Sequence, residues 1–342
     1  MAKSKTVILS ICIPTYNRLG KLKRQIDSLL KLSDTRFNIV VSDNHSSDDT
    51  KEYINTINDD RLKLLTHDQP VPPSVNGYDA LFGAEGRFSI FVLDKDFIDG
   101  DYLVSFIEEL EKYSHPIYGY CDLNSDSRSS MFEEVMPGVS SLKNSSYLCK
   151  HPSGYFFHTE KLKEEARKIW NLIESNFPFT LDMMCAHFAA NNCPLLLAHT
   201  PMVRTETLKE ASKIVSLSYT ADNLWFAPKQ VMERCVIFIE DLYGLGLEGK
   251  IKDVVLRKLL YRSFDDATIN YAGNLQKDLL CLHYGIHPQK ISMAKLFQIS
   301  AFMYGKLKDL RFIQEKKMLM LEILFLINIV HIIKYKLIDV IK

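Results

Sequence analysis

No glycine-rich phosphate loop follows any candidate strand of this 342-residue chain: neither Gly-x-Gly-x-x-Gly nor Gly-x-x-x-x-Gly-Lys stands after one. The backbone cradle of dinucleotide-binding and P-loop proteins is therefore missing from the strand-helix units where it would act. An excess of either charge is lacking too. The 42 basic residues balance 42 acidic ones, so no bulk field favours nucleic acid or an acidic polymer as partner. The balance is uneven along the chain, because residues 306 to 342 hold eight Lys or Arg against four Asp or Glu. The seven cysteines (Cys12, Cys121, Cys149, Cys185, Cys193, Cys235 and Cys281) include no Cys-x-x-Cys, which removes the commonest zinc and dithiol signatures and points to a reducing cytoplasm. The basic amino terminus runs into a strand pattern without an apolar signal segment. Repeats and low-complexity runs are absent, and the length suits one domain of ordinary size with a second, smaller one.

What is present is an alternation of buried-strand and helix patterns. Thr6 to Ile13 reads as a buried strand stopped by Pro14, and Leu22, Ile26, Leu29 and Leu30 then share one helical face. Phe37 to Asp43 is a second strand, followed by the cap-rich turn Asn44-His45-Ser46-Ser47-Asp48-Asp49-Thr50 and a helix to about Ile57. Leu62 to Leu65 predicts a third strand, Asn76 to Ala84 a short helix and Phe88 to Leu93 the next strand. This order is that of a mainly parallel sheet covered on both faces. The strand at Phe88 is the organising one, because it ends abruptly in Asp94-Lys95-Asp96. Open α/β sheets place ligands at the carboxyl ends of their strands, and two carboxylates so close together can hold a hard divalent cation. Taken alone, Asp-x-Asp reads first as a solvated turn, and the residues upstream are what turn it into a candidate site.

Ile13-Pro14-Thr15-Tyr16-Asn17-Arg18, Val40-Val41-Ser42-Asp43-Asn44-His45-Ser46-Ser47-Asp48-Asp49-Thr50, Asn76 and Asp94-Lys95-Asp96, in that order and spacing, resemble the signatures of family 2 glycosyltransferases of the GT-A fold, of the bacterial surface-polysaccharide type. The resemblance covers the first 100 residues well, is looser to about residue 206 and stops there. It implies a GT-A nucleotide-sugar-binding catalytic domain over residues 1 to 206. It implies that Pro14, Thr15, Tyr16 and Arg18 line the base pocket, that Asp43 accepts a hydrogen bond from the base, and that Asn76 and Asp94 belong to the nucleotide site, Asp94 facing ribose and metal. Asp96 would be the main ligand of a Mn²⁺ or Mg²⁺ cofactor. The residues agree to this extent: a tyrosine just past a strand end offers a face for stacking. Asp43 reads equally as a helix cap. The chain departs from the family in having Lys95 and Phe97 where further Asp residues often stand.

Downstream, Tyr102, Leu103, Phe106, Ile107 and Leu110 make a core helix, Pro116 to Cys121 another strand, and Asn124 to Ser130 a polar loop. Ser153 and Gly154, in His151-Pro152-Ser153-Gly154-Tyr155, resemble the family segment beside donor sugar and acceptor. Phe177 to Asp182 opens an apolar helix. The resemblance makes Asp182 the base that deprotonates the acceptor, although the family's Glu-Asp pair is broken here by Leu181; Asp182 also suits a helix first turn by its charge. Pro194 to His199 is a closing strand, and the family's example makes His199 or Arg204 a further diphosphate or metal contact.

Beyond residue 207 the pattern is helical only, over 221–243, 251–271, 275–283 and 291–310, with glycines as breaks. The end, Met318 to Ile333 between lysine pairs, is shorter than a spanning helix and is interrupted by Glu322, Asn328 and His331. It fits an interfacial membrane helix and, equally, a helix that closes a small domain over residues 207 to 342. The expectation is an inverting, metal-dependent glycosyltransferase in the cytoplasm, at the inner face of the plasma membrane. It would take a nucleotide-sugar donor, a UDP-sugar by preference, and a saccharide acceptor on a lipid carrier, with no nucleic acid partner. The alternatives are a nucleotidyltransferase, which would need a Gly-rich basic loop that Thr15 to Leu19 lacks, and a non-catalytic sugar-nucleotide-binding or scaffold protein of a polysaccharide assembly complex.

Overall fold

A computed structural model describes residues 6–123, 131–211, 220–314 and 317–341. Contacts divide the chain into two compact units, residues 1–206 and 207–342. The polar loop expected at 124–130 lies outside the described residues.

The first unit runs β1 Leu9–Thr15, α1 Leu19–Leu30, β2 Phe37–Asp43, α2 Thr50–Asn55, β3 Leu62–Thr66, α3 Pro73–Phe82, β4 Phe88–Phe91, β5 Phe97–Ile98 and α4 Gly100–Glu111. It continues with β6 Tyr118–Cys121, β7 Met131–Val135, α5 Val139–Ser145, β8 Tyr155–His158, α6 Thr159–Lys168, α7 Trp170–Glu174, α8 Thr180–Ala190, β9 Leu195–His199 and β10 Val203–Arg204. Eight strands form one sheet in the order β3-β2-β1-β4-β8-β6-β9-β7. Four pairings are parallel (β1–β2, β2–β3, β1–β4, β6–β9), and three are antiparallel (β4–β8, β6–β8, β7–β9). The fold is thus mixed α/β and mostly parallel, as the strand-helix alternation requires. The core is built from Ile11, Ile13, Ile39, Val41, Phe88, Ile90, Phe106 and Phe156, all fully buried.

Two details correct the sequence expectations. β1 does not stop at Pro14 but runs through it to Thr15. Pairing with β4 ends at Cys12, so at Pro14 the strand is paired only to β2 and is locally an edge, where a missing donor is tolerated. Phe97, which stands where the family often has an acid, has a structural place. It forms β5, which pairs antiparallel with β10, and the Arg24 guanidinium lies 5.3 Å from its ring.

The topology fixes where a ligand can sit. From β1 the chain builds outward through β2 and β3, then crosses back to lay β4 on the other side of β1. That reversal puts a crevice at the carboxyl ends of β1 and β4. Gly154 closes its floor: at φ +102, a conformation glycine adopts freely, its N–H donates to Phe91 O and its carbonyl accepts from Cys121 N, both at 2.9 Å.

The second unit is helical: α9 Leu208–Ala211, α10 Pro228–Gly244, α11 Gly249–Asp265, a π-helical turn Asp266–Asn270, α12 Tyr271–Asn274, α13 Asp278–His283, α14 Met293–Lys308, α15 Arg311–Gln314 and α16 Met318–Ile341. α10 begins at Pro228, seven residues later than the apolar pattern suggests, because proline is preorganised for a first helical turn. Gly244 to Gly249 joins two helices, and no strand precedes it. α16 is 24 residues long, well beyond the expected Met318 to Ile333. Asn328, expected to interrupt its apolar face, points into the unit. It accepts from Ser300 Oγ at 2.7 Å and donates to Asp265 Oδ1 and Thr268 Oγ1, both at 3.0 Å. His331 Nδ1 lies 3.1 Å from the same Asp265 carboxylate.

Candidate active site

The reversal point gathers residues that are far apart in sequence. Thr15, the last residue of β1, donates through Oγ1 to Asp94 Oδ2 at 2.9 Å, and Arg18 Nη1 meets Asp94 Oδ1 at 3.0 Å. Burial pushes the Asp94 carboxyl above the usual carboxylate range in spite of Arg18. Between these residues the chain turns sharply. Asn17 is left-handed at φ 50, a conformation asparagine tolerates, and its Oδ1 accepts from Ser47 N at 2.7 Å while its own N–H donates to Ser46 Oγ at 2.9 Å. The two loops after β1 and β2 are thereby laced together. Tyr16, next to this turn, is 50% exposed.

Asp43 ends β2 in register with Thr15 and is buried. Its carboxylate accepts from Ser46, so it caps its own turn. The first turn of α2 is served instead by Asp48, which accepts from Thr50 Oγ1 at 2.5 Å and from Leu19 N at 3.0 Å. Asn76 of α3 lies behind the strands: its Oδ1 accepts from Ser42 Oγ at 2.7 Å and its amide reaches Thr15 O at 3.4 Å.

Asp96, itself buried, is held by three contacts from two segments. Ser153 Oγ lies 2.5 Å and His151 Nε2 2.6 Å from Oδ2, and Glu206 N donates to Oδ1 at 2.9 Å. Burial alone would raise this carboxyl, but His151, Ser153 and the Glu206 N–H outweigh it and hold it below the usual range, so it is ionised at neutral pH. Ser153 also accepts from Leu93 N at 2.9 Å. The sequence singled out Ser153 but not His151 or Glu206.

Asp182 sits in the first turn of α8, 1% exposed. Its Oδ1 accepts from Tyr155 Oη at 2.8 Å and from Leu148 N at 3.0 Å. Leu181, which replaces the acid expected beside it, is core: residues 180 to 189 of α8 are all buried. A chain of contacts joins Asp182 to Asp96. Tyr155 packs edge-on to Tyr120 at 4.8 Å, and Tyr120 Oη donates to His151 O at 3.2 Å. Burial pushes the Tyr120 hydroxyl far above its usual range, and the carboxylates of both Asp182 and Asp96 add to the shift. The segment between α5 and β8 thus touches both acids, through Leu148 and through His151 and Ser153, and it contains two non-glycine left-handed residues, Tyr147 and Cys149. His199 and Arg204 turn elsewhere. His199 lies between Asp122 and Glu133, 3.6 and 3.5 Å away, and Arg204 pairs with Asp99.

An ionised, oxygen-donating Asp96 beside a strand-end crevice suits a hard divalent cation. Among the described residues no group of three His, Cys, Asp or Glu gathers to hold a metal, so the remaining ligands would come from a diphosphate and water, as is usual for nucleotide-bound Mg²⁺ or Mn²⁺.

Residues 10–175 match the model of glycosyl transferase family 2. The amino-terminal unit is a family 2 glycosyltransferase domain. Two curated relatives align with part of the chain. A GalNAc(5)-diNAcBac-PP-undecaprenol beta-1,3-glucosyltransferase of Campylobacter jejuni is 30% identical over 159 residues, 45% of this chain and 51% of the relative. The UDP-Glc:alpha-D-GlcNAc-diphosphoundecaprenol beta-1,3-glucosyltransferase WfgD of Escherichia coli is 35% identical over 89 residues, 26% of this chain and 35% of the relative. The aligned region therefore spans about half of the first and about a third of the second. Among solved structures, S. aureus TarS 1-349 superposes with a TM-score of 0.57 at 18% identity, covering 95% of this chain and 90% of that one. The same protein in complex with UDP gives a TM-score of 0.55 with the same coverage. These likenesses establish the GT-A architecture of the glycosyltransferase domain.

Proposed function

We propose that this protein is an inverting glycosyltransferase of bacterial polysaccharide synthesis, moving a sugar from a UDP-sugar to a saccharide carried on a lipid diphosphate. The observation that carries the reading is the meeting of Thr15, Arg18 and Asp94 at the β1/β4 reversal, with Asp96 held ionised beside them. The relatives named above act, by their names, on undecaprenol-linked saccharides, and one uses UDP-Glc.

In this reading the exposed Tyr16 ring stacks on the base, Asp43 accepts from it, and Asp94, oriented by Thr15 and Arg18, faces the ribose. Asn76 keeps the ends of β1 and β2 together beneath them. Asp96 would hold the divalent cation, which when bound would supply positive charge against the departing diphosphate. Ser153 fixes Asp96, and Gly154 lets the chain pass close under the donor sugar. Asp182, oriented by Tyr155 and Leu148, takes the acceptor proton as the hydroxyl attacks the anomeric carbon from the face opposite the diphosphate, and a single displacement inverts configuration. Asp182 is buried, so acceptor entry requires the strained segment around Tyr147 and Cys149 to shift.

A lipid-borne acceptor and a nucleotide-sugar donor would meet at the cytoplasmic face of the membrane, and α16 offers a contact surface. Its inner face, with Leu321, Leu324, Asn328 and Ile332, is buried in the helical unit, whereas Leu319, Ile323, Leu326, Val330, Ile333 and Leu337 form an exposed apolar row at alternating four- and three-residue spacing. The stretch Met318–Ile338 is by length and composition able to cross a membrane, but one side of it is committed to packing and to the Asn328 network. We read it as lying in the interface, with Lys334 and Lys336 at its margins toward anionic head groups.

Incubation with sugar nucleotides and an undecaprenyl-diphosphate-linked saccharide, with and without Mn²⁺, tests the proposal through release of UDP and product analysis. Transfer lost in Asp96→Asn supports it. Binding of UDP-sugars without turnover for any acceptor would favour the non-catalytic alternative.

A further inference from the structure

We infer that His151 is the second protein ligand of the divalent cation, completing with Asp96 a mixed carboxylate-imidazole site. The inference rests on the proposed role of Asp96 and adds a residue that neither the motif pattern nor the family resemblance supplies.

The imidazole is mounted for this. His151 Nε2 lies 2.6 Å from Asp96 Oδ2, so a cation on that oxygen is within a small side-chain movement of the nitrogen. The backbone of His151 is fixed from below by the Tyr120 hydroxyl, and Lys150, its neighbour, lies 4.2 Å over the Tyr120 ring. Ser153, two residues on, ties the same segment to both Asp96 and Leu93 N. The other carboxylate of the turn is engaged differently: Asp94 already meets Thr15 and the Arg18 guanidinium, and a cation there would face an adjacent positive charge. The His151 side chain is partly exposed, so it can exchange its contact with Asp96 for one with an incoming ion. An imidazole in the ligand set changes which ion is preferred, because nitrogen donors suit first-row transition metals while Mg²⁺ prefers oxygen throughout. The site should therefore take Mn²⁺ or Co²⁺ over Mg²⁺, and that preference should reside in His151.

The test uses the full chain with UDP and Mn²⁺, read by electron paramagnetic resonance. Bound Mn²⁺ should show electron spin-echo modulation from a directly coordinated ¹⁴N, and the modulation should vanish in His151→Gln. Mn²⁺ affinity should fall about tenfold or more in both His151→Gln and Asp96→Asn, while Mg²⁺ affinity falls only in Asp96→Asn. Absence of ¹⁴N modulation in the unaltered protein, or its retention in His151→Gln, overturns the inference while leaving Asp96 in place. Mn²⁺ binding indifferent to Asp96→Asn overturns the metal role of Asp96, and His151 falls with it. Should His151→Gln fail to fold, His151→Asn gives the same reading, and the unaltered protein's spectrum alone still overturns the inference if it lacks ¹⁴N modulation.

Discussion

Replacing Asp182 by Asn separates chemistry from structure. The two named donors to this side chain, Tyr155 Oη and Leu148 N, both end on Oδ1, and an asparagine carbonyl can accept both. These two donors keep an acceptor, and thermal unfolding measures what the change costs the fold. What disappears is the ability to take a proton. A positioned general base contributes roughly 10²- to 10⁴-fold, which at about 1.36 kcal/mol per tenfold is about 2.7 to 5.4 kcal/mol of barrier. Because Asp182 stands apart from the cluster of Thr15, Arg18 and Asp94, donor binding should not change. The assay is release of UDP with saturating donor and acceptor, alongside nucleotide titration and thermal unfolding. A variant with an unchanged melting temperature and kcat within about threefold of the parent would remove Asp182 from the mechanism.

Other expectations follow from the same contacts. Leu326→Glu with Ile333→Glu charges the outward row of α16 without touching its packed side, and should release the protein from anionic vesicles in a flotation assay; unchanged partitioning would reject the lipid contact. Asn328→Ala leaves Ser300, Thr268 and Asp265 short of a partner and should cost about 2 to 3 kcal/mol, read by denaturant unfolding; a loss under about 0.5 kcal/mol would mean that the network does not hold α16. Glu165 of α6 is ion-paired to Lys161 and Lys168 and faces His187 of α8. Burial would raise its carboxyl, but these partners hold it down at about 2, against an ordinary 4.5. Its folded-state value is depressed, so its contribution is complete above the unfolded value and is lost as pH falls from about 4.5 to about 2. Glu165→Gln should therefore lower the melting temperature at pH 7 and flatten its decline over that acid range; an unaltered acid limb would contradict the assignment.

Legibility in the sequence followed sequence distance. The strands at Leu9, Phe37, Leu62 and Phe88 announced themselves by apolar runs, and Asp43, Asp94 and Asp96 by standing at strand ends, so the β1/β4 crevice could be anticipated. Antiparallel β8, inserted between β4 and β6, could not be, because its short run Tyr155–His158 carries no pairing information of its own. Nor could the donors to Asp96. Glu206 acts through its backbone N–H, which any residue but proline could supply, and His151 acts across 55 positions. At α16 the pattern misled for a physical reason: Asn328 and His331 look like breaks in an apolar face, but Asn328 bonds Thr268 of the π-helical turn and both reach Asp265 at the end of α11. Leu181 similarly reads as a broken motif until the burial of α8 explains it.

The account depends on a nucleotide diphosphate binding in the crevice between β1 and β4. Calorimetric titration of the full chain with UDP in the presence of Mn²⁺ tests it directly, comparing the unaltered protein with Tyr16→Ala and Asp96→Asn. Loss of one stacked base is worth about 1 to 3 kcal/mol, so Tyr16→Ala should weaken UDP roughly five- to 150-fold, and Asp96→Asn should abolish the Mn²⁺ dependence of binding. UDP binding that is undetectable in the unaltered protein, or that neither substitution weakens, would contradict the account.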